Sequence, residues 1–325
     1  MGKSVFSRLL MGLALLATTA VVVSAFDEDN DGVHPLRTHS IYMPYIDQDL
    51  QNRWFDFGGD ALVNTNKHIR LTSDLPSQTG YLWSRLPLTS ASFQVEFEFK
   101  VEGKGDGLFG DGFAVWLTKE RAEMGPVFGN KDNFEGLGIF FDTYANSRQS
   151  HSFPYVMAMM GDGKTSYDSA HDGASNKLGG CESDFRGQPV PTKGRITYHR
   201  DTLSLNFKIQ TKGWDEWEDC FTLSDIKLPT ISYLGFTSVT GEVHDNHDII
   251  SVTTNTLTGR LDSPFKVKDL NGPNNPRQKT NNNTPPPQKK TGVMWYLKFL
   301  AACAVFVALV MAFKMSKGSN DMKRF

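Results

Sequence analysis

Asp142-Thr143-Tyr144-Ala145-Asn146 follows the apolar run Leu137 to Phe141 and is answered thirty residues later by Asp172-Gly173. Carboxylate, amide and backbone oxygens gathered at the mouth of a strand are the hard donors that Ca²⁺ takes. Such a loop would hold the ion and present Asn146 to a second ligand, so the chain reads as a binder. Neither acidic stretch fits the twelve-residue EF-hand loop. Asp27 to Gly32 starts one, yet position twelve is Thr38, and Asp142 to Phe153 has Ser147 where glycine is required and Phe153 where glutamate is required. The first of these is an acidic leader to the mature chain. Asp111-Gly112 taken alone is no more than a turn.

Catalytic constellations are weaker. A glycoside hydrolase built on strands would show Glu-x-Asp-x-x-Glu along one face, its carboxyl groups flanking the scissile bond. Glu96 and Glu98 share a face, but Val101 takes the third acid's place, and the alternation with aromatics marks a solvent side. No Ser-His-Asp elbow or cysteine nucleophile is evident. The sequence therefore predicts no enzyme. Trp214 and Trp217 are expected to pack rather than form a sugar platform, and His244, His247 and Asp248 are expected to make polar loop contacts.

The elements that must position the acidic loop are short apolar or alternating runs: 92–99, 112–117, 136–141, 155–160, 202–209, 233–238 and 249–254. In the first, Phe93, Val95, Phe97 and Phe99 fall on one face and Gln94, Glu96 and Glu98 on the other, the period of a half-buried strand. The pattern predicts an all-β fold, an antiparallel two-sheet sandwich over about 34–257. Helical periodicity is confined to Thr118 to Glu123.

The ends fix the compartment. Lys3 and Arg8 precede an apolar stretch closed by Val23-Ser24-Ala25, a secretory signal peptide over 1–25. Residues 293–313 are apolar apart from Lys298, long enough to cross roughly 30 Å of hydrocarbon as a transmembrane helix. Trp295 and Tyr296 suit one interface and Lys298 snorkels towards it. This predicts a type I membrane protein with a lumenal domain at 26–260, a Pro/Asn-rich stalk at 261–292 and a cytosolic tail at 314–325. Asn282-Asn283-Thr284 in the stalk is a glycosylation triplet. The net charge of −2, with scattered Lys and Arg, excludes nucleic acid as a partner. Of three cysteines, Cys303 lies in the span, leaving Cys181 and Cys220 to pair in an oxidising lumen. Such a bridge contributes on the order of 3 to 4 kcal/mol in the chain-entropy account.

Several ordered motifs then agree. Gly110-Asp111-Gly112-Phe113-Ala114-Val115-Trp116, Gly125-Pro126-Val127-Phe128-Gly129 with Asp132-Asn133-Phe134, Ile139 to Asn146, Cys181 to Arg186 and Asp245-Asn246-His247-Asp248-Ile249 resemble the animal and fungal L-type cargo lectins of the early secretory pathway. The resemblance implies a legume-lectin-like sandwich, a jelly roll, that binds high-mannose N-glycans with Ca²⁺ and carries glycoproteins between endoplasmic reticulum (ER) and Golgi. By position, Asp142, Asn146 and Asp172 would give side-chain oxygens to the metal and Tyr144 its carbonyl. Asp111 and Asn146 would hydrogen-bond mannose hydroxyls, which both donate and accept. Three positions at the sugar edge depart from the family: Tyr81 and Ser169 replace Ser and His, and Gly241-Glu242-Val243 replaces Gly-Asp-Leu. Lys323-Arg324-Phe325 resembles export signals read by vesicle coat components. The alternative is a lectin-shaped adaptor that binds protein cargo or a partner lectin without sugar.

Overall fold

Phe93–Glu102 buries each of its apolar residues and half-exposes each polar one along its whole length. Gly112–Thr118 is instead buried at every position, and Glu135–Asp142 nearly so. The two patterns have one cause: the first strand has solvent on one side, and the others are covered on both.

The computed structural model describes residues 32–258 apart from 106, 149 and 150. The expected signal peptide, stalk, span and tail, with Asn282, Lys323, Arg324 and Phe325, lie outside the described residues. Two antiparallel sheets face each other. The eight-stranded sheet runs, neighbour to neighbour, Glu218–Leu223, Ser204–Gln210, Thr192–His199, Phe93–Glu102, Asn246–Leu257, His68–Thr72 and Leu62–Asn64, with Val33–Pro35 paired to Asn246–Leu257. The seven-stranded sheet runs Gly179–Glu182, Tyr155–Asp162, Glu135–Asp142, Gly112–Thr118, Tyr233–Val239, Thr79–Ser84 and Phe55–Gly59. Every predicted run is a strand.

Between the sheets lies a core in which Phe97, Phe99, Phe113, Phe141 and Phe207 pack ring against ring. A second cluster covers the outer face of the seven-stranded sheet: Trp83, Trp116, Phe128, Phe134, Phe140, Tyr155, Met157 and Tyr167. Neighbours in sequence therefore serve different layers, Phe141 inward and Phe140 outward.

The sandwich is closed along both margins. On one side the edge strands Phe55–Gly59 and Leu62–Asn64 belong to different sheets and are joined by Asp60-Ala61, held where the Asp60 carboxylate accepts the Thr79 N–H at 2.8 Å. On the other, the disulfide Cys181–Cys220 bridges the opposite edge strands, as the cysteine count predicts.

Two expectations are corrected. Residues 119–123 form a loop, not a helix: Ala122 is left-handed at φ 57°, the Lys119 N–H donates to the Glu135 carbonyl at 2.9 Å, and one charged turn before Gly125-Pro126 is too short to nucleate. Trp214 does not pack inside but is 67% exposed, with the Lys193 ammonium 5.3 Å from its ring centre. Apart from the single-turn 3₁₀ helices Arg37–His39 and Ser169–His171, the described residues hold no helix, and none long and apolar enough to cross a membrane.

Candidate functional site

Strand register places the acidic residues side by side. Asp142 pairs with Gly112, and Gly112 with Val239, so the chain enters or leaves three adjacent strands at one end of the seven-stranded sheet. Asp111 precedes the first of these strands, Thr143 to Asn146 follow the second, and Gly241 to Val243 follow the third. The Thr143 N–H and hydroxyl both donate to the Asp111 carbonyl at 3.1 Å, stitching two loops together. Gly112 has φ +142°, and a Cβ there would fall 2.2 Å from the Phe141 carbonyl, so only glycine allows this crossing. Behind it runs a buried relay. The His247 ring nitrogen Nδ1 lies 2.8 Å from the Thr72 hydroxyl, which lies 3.0 Å from the Ser238 hydroxyl, which donates to the Gly112 carbonyl at 2.7 Å.

A pocket of about 170 Å³ opens at this end, lined by Asp111, Pro126, Phe128, Asp142, Asn146, Tyr167, Ser169 and Val239. Burial pushes the Asp111 carboxyl up to about 6, opposed by the Gly241 N–H that it accepts. Burial, then the negative charges of Asp172 and Asp111, push the Asp142 carboxyl well above the usual range, opposed by the Tyr144 N–H at 3.0 Å. Asp172 stands behind the pocket at the end of the Ser169–His171 turn. Its Oδ1 accepts the backbone N–H of Asn146 at 2.9 Å and the side-chain amide at 2.8 Å. Tyr167 has its phenol pKa raised by burial and by Asp142, Asp172 and Asp168.

The donor chemistry fits Ca²⁺. Asp142 and Asp172 are only 4% and 5% exposed, and burying carboxylates that repel each other is costly until a cation joins them. Among the described residues no group of three or more His, Cys, Asp or Glu converges, and the donors that gather here are carboxylate and amide oxygens rather than the imidazole nitrogen and thiolate sulfur that zinc takes. Two carboxylates and an amide, with the Tyr144 carbonyl that the resemblance implies, would make an all-oxygen set of the kind Ca²⁺ accepts.

The remaining predicted residues divide. Ser169 lines the pocket. Gly241 closes on Asp111, its added Cβ 3.4 Å from Oδ2, and Val243 packs on Gly110, whose added Cβ would meet it at 3.0 Å and Tyr144 at 2.9 Å. Glu242 is exposed, and Tyr81 lies with its hydroxyl over Gly58, outside the pocket lining. His171 pairs with Asp168 at 2.9 Å. Sequence reasoning missed the apolar wall of Pro126, Phe128, Tyr167 and Val239. Phe128 lies in one of the motifs quoted above, and its carbonyl accepts the Thr237 hydroxyl at 2.6 Å, which pins the wall to the sheet. His247 and Asp248 make polar contacts as expected, but from the strand Asn246–Leu257, Asp248 accepting two bonds from Arg70. Glu96 and Glu98 lie on the outer face of the other sheet, Glu96 bound to Arg195 at 2.8 Å.

The legume-like lectin family model matches residues 33–263. The VIP36-like protein of Mus musculus is 41% identical over 228 residues, 69% of this chain and 65% of that protein, so under two thirds of that relative is spanned. The vesicular integral-membrane protein VIP36 of Mus musculus is 35% identical over 318 residues, 93% of this chain and 88% of that protein. Among solved structures, the VIP36 exoplasmic/lumenal domain in its Ca²⁺/Man2-bound form matches with TM-score 0.66 at 37% identity, covering 70% of this chain and 91% of that one.

Proposed function

The chain belongs to the legume-like lectin family, and from that premise we propose that it is a calcium-dependent lectin for the mannose of high-mannose N-glycans. The observation that carries the reading is the convergence of Asp111, Asp142 and Asn146 on one pocket, with Asp172 bonded to Asn146. Asp142, Asp172, Asn146 and the Tyr144 carbonyl would hold Ca²⁺. When bound, the ion supplies the positive charge that lets the buried Asp142 carboxylate stay ionised and fixes the loop bearing Asn146 before sugar arrives. Asp111 accepts hydrogen bonds from vicinal hydroxyls, the Asn146 amide offers both donor and acceptor, and Phe128 with Tyr167 gives the sugar ring an apolar flank. Ser169 leaves a shorter polar group where the resemblance expects histidine, and Gly241, Glu242 and Val243 form the rim. Tyr81 stands further along the same sheet face.

The VIP36 likeness, which runs beyond the lectin domain, supports a wider reading. Residues 1–25 are a signal peptide, 26–260 the lumenal lectin domain, 261–292 a stalk carrying Asn282, 293–313 a single span and 314–325 a tail. The protein cycles as a glycoprotein cargo receptor among ER, intermediate compartment and Golgi membranes. Lys323, Arg324 and Phe325 are read by vesicle coat components.

The test is calorimetric titration of the full chain in detergent with an α-linked mannose disaccharide, with Ca²⁺ and with chelator. Binding that chelator abolishes is expected. Calcium binding without sugar binding favours the adaptor, and neither binding sinks the reading.

A further inference from the structure

Two motifs that carry the family resemblance, Cys181 to Arg186 and Asp245 to Ile249, place no side chain in the pocket. They meet each other instead. The Arg186 guanidinium donates from Nε to Asp245 Oδ2 at 2.7 Å and from Nη2 to Oδ1 at 2.9 Å. The Asp245 carboxylate is fully buried and the Arg186 side chain is 16% exposed. The same Nη2 donates to the Gly105 carbonyl at 3.0 Å, and the guanidinium lies 3.8 Å from the centre of the Phe109 ring.

These contacts fall on the stretch leading into Asp111. It contains Gly103, Gly105, Gly107 and Gly110, and ordering so many glycines costs more backbone entropy than ordering other residues. Among the described residues it is also held by the Lys104 N–H, which donates to Asp74 at 3.0 Å. Asp245 in turn ends the loop whose Gly241 N–H reaches the Asp111 carboxylate. One ion pair thus ties both segments flanking Asp111. Its far side is anchored by the Gly187 N–H on the Val101 carbonyl at 2.8 Å and, five residues before Arg186, by the disulfide at Cys181.

We propose that Arg186 and Asp245 are positioning residues for sugar, their fork clamping the glycine-rich stretch so that Asp111 meets the glycan already in place. The proposal rests on the mannose reading above. A planar fork is required, because lysine would keep the charge but lose the bidentate geometry and the bond to Gly105.

The test uses the full chain in detergent, comparing wild type with Arg186→Lys and with Phe109→Leu, which spares the buried pair. Each is titrated with Ca²⁺ alone and then with an α-linked mannose disaccharide in saturating Ca²⁺, and amide exchange is followed for residues 103–110. Loss of preorganisation is expected to weaken disaccharide binding about tenfold while calcium affinity stays within about twofold, with faster exchange in that stretch. A general structural role would lower calcium affinity and melting temperature together with sugar affinity, and would overturn the proposal. So would disaccharide affinity unchanged in both variants while wild type binds. Wild type that binds no mannose would defeat the lectin reading as well, which separates the two failures. If Arg186→Lys does not fold, Phe109→Leu decides alone.

Discussion

Asp142 is held in the pocket under electrostatic tension, since burial and two neighbouring carboxylates all oppose its charge. Asp142→Asn is therefore expected to melt at or above the parent temperature in calcium-free buffer, the neutral amide removing the tension. Calcium at a hundred times its dissociation constant stabilises a binder by about 2.7 kcal/mol. Scanning fluorimetry should show that gain in the parent and not in the variant, and a retained calcium shift would remove Asp142 from the ligand set. His247 makes a pH prediction. Burial lowers it from 6.5 to about 3, so the folded state keeps the imidazole neutral while the unfolded chain takes a proton below 6.5. Between those values the unfolded state binds more protons, so stability is full above pH 6.5 and falls as pH drops towards 3. The slope from this group is at most about 1.4 kcal/mol per pH unit. Urea midpoints at pH 7 and 4.5 should differ less in His247→Gln than in the parent, and equal differences would assign the slope to other groups. At this scale the sequence reading followed chemical type. Asp142 and Asn146 stood out as oxygen donors directly after an apolar run, whereas Asp111, alone no more than a turn, was reached only through the family resemblance. Phe128, Tyr167 and Val239 did not stand out, because an apolar residue lining a pocket has the same composition signal as one in a core.

Strands were legible where bulky apolar residues alternated or ran unbroken, as in Phe93–Glu102 and Gly112–Thr118. Thr79–Ser84, Thr192–His199, His68–Thr72, Gly179–Glu182 and Glu218–Leu223 are among the strands that the runs left out: polar residues or glycine break up their apolar pattern, and the last two lie at sheet edges where one row of backbone groups needs no partner. The unbroken runs did not reveal that the seven-stranded sheet has a second covered face, since period-two patterning vanishes when both faces are apolar. Phe140 and Phe141 expose the difference. Phe141 packs on Phe97, Phe99, Phe113 and Phe185 between the sheets, and Phe140 on Trp116, Phe128 and Tyr167 beneath the pocket. Truncation of either to alanine is expected to cost about 3 to 5 kcal/mol in urea unfolding. Only Phe140→Ala should also weaken mannose binding by the folded protein, because Phe128 and Tyr167 lose their backing. Equal sugar affinity in the two variants would argue that the aromatic wall is not part of the site.

For the whole molecule, the antiparallel sandwich and the pairing of Cys181 with Cys220 were readable from run spacing and cysteine count, but the strand order was not. Phe93–Glu102 sits beside Asn246–Leu257, a partnership far apart in the chain that no local pattern encodes. The disulfide spans a sequence separation of 39, and its removal by Cys181→Ser with Cys220→Ser is expected to cost on the order of 3 to 4 kcal/mol in the chain-entropy account, measured by denaturant midpoint. A cost near zero would mean that the packed edges suffice. The two margins are not equivalent under this treatment: one is fastened by the peptide chain itself and survives any reductant, the other by sulfur and by the packing of Phe221 and Leu223 against Gly179. A thiol-rich environment should therefore open the protein like a hinged case, from the 179–182 and 218–223 lip. Early self-assembly of the reduced protein should begin there, where bared amides can recruit a strand from a neighbouring copy.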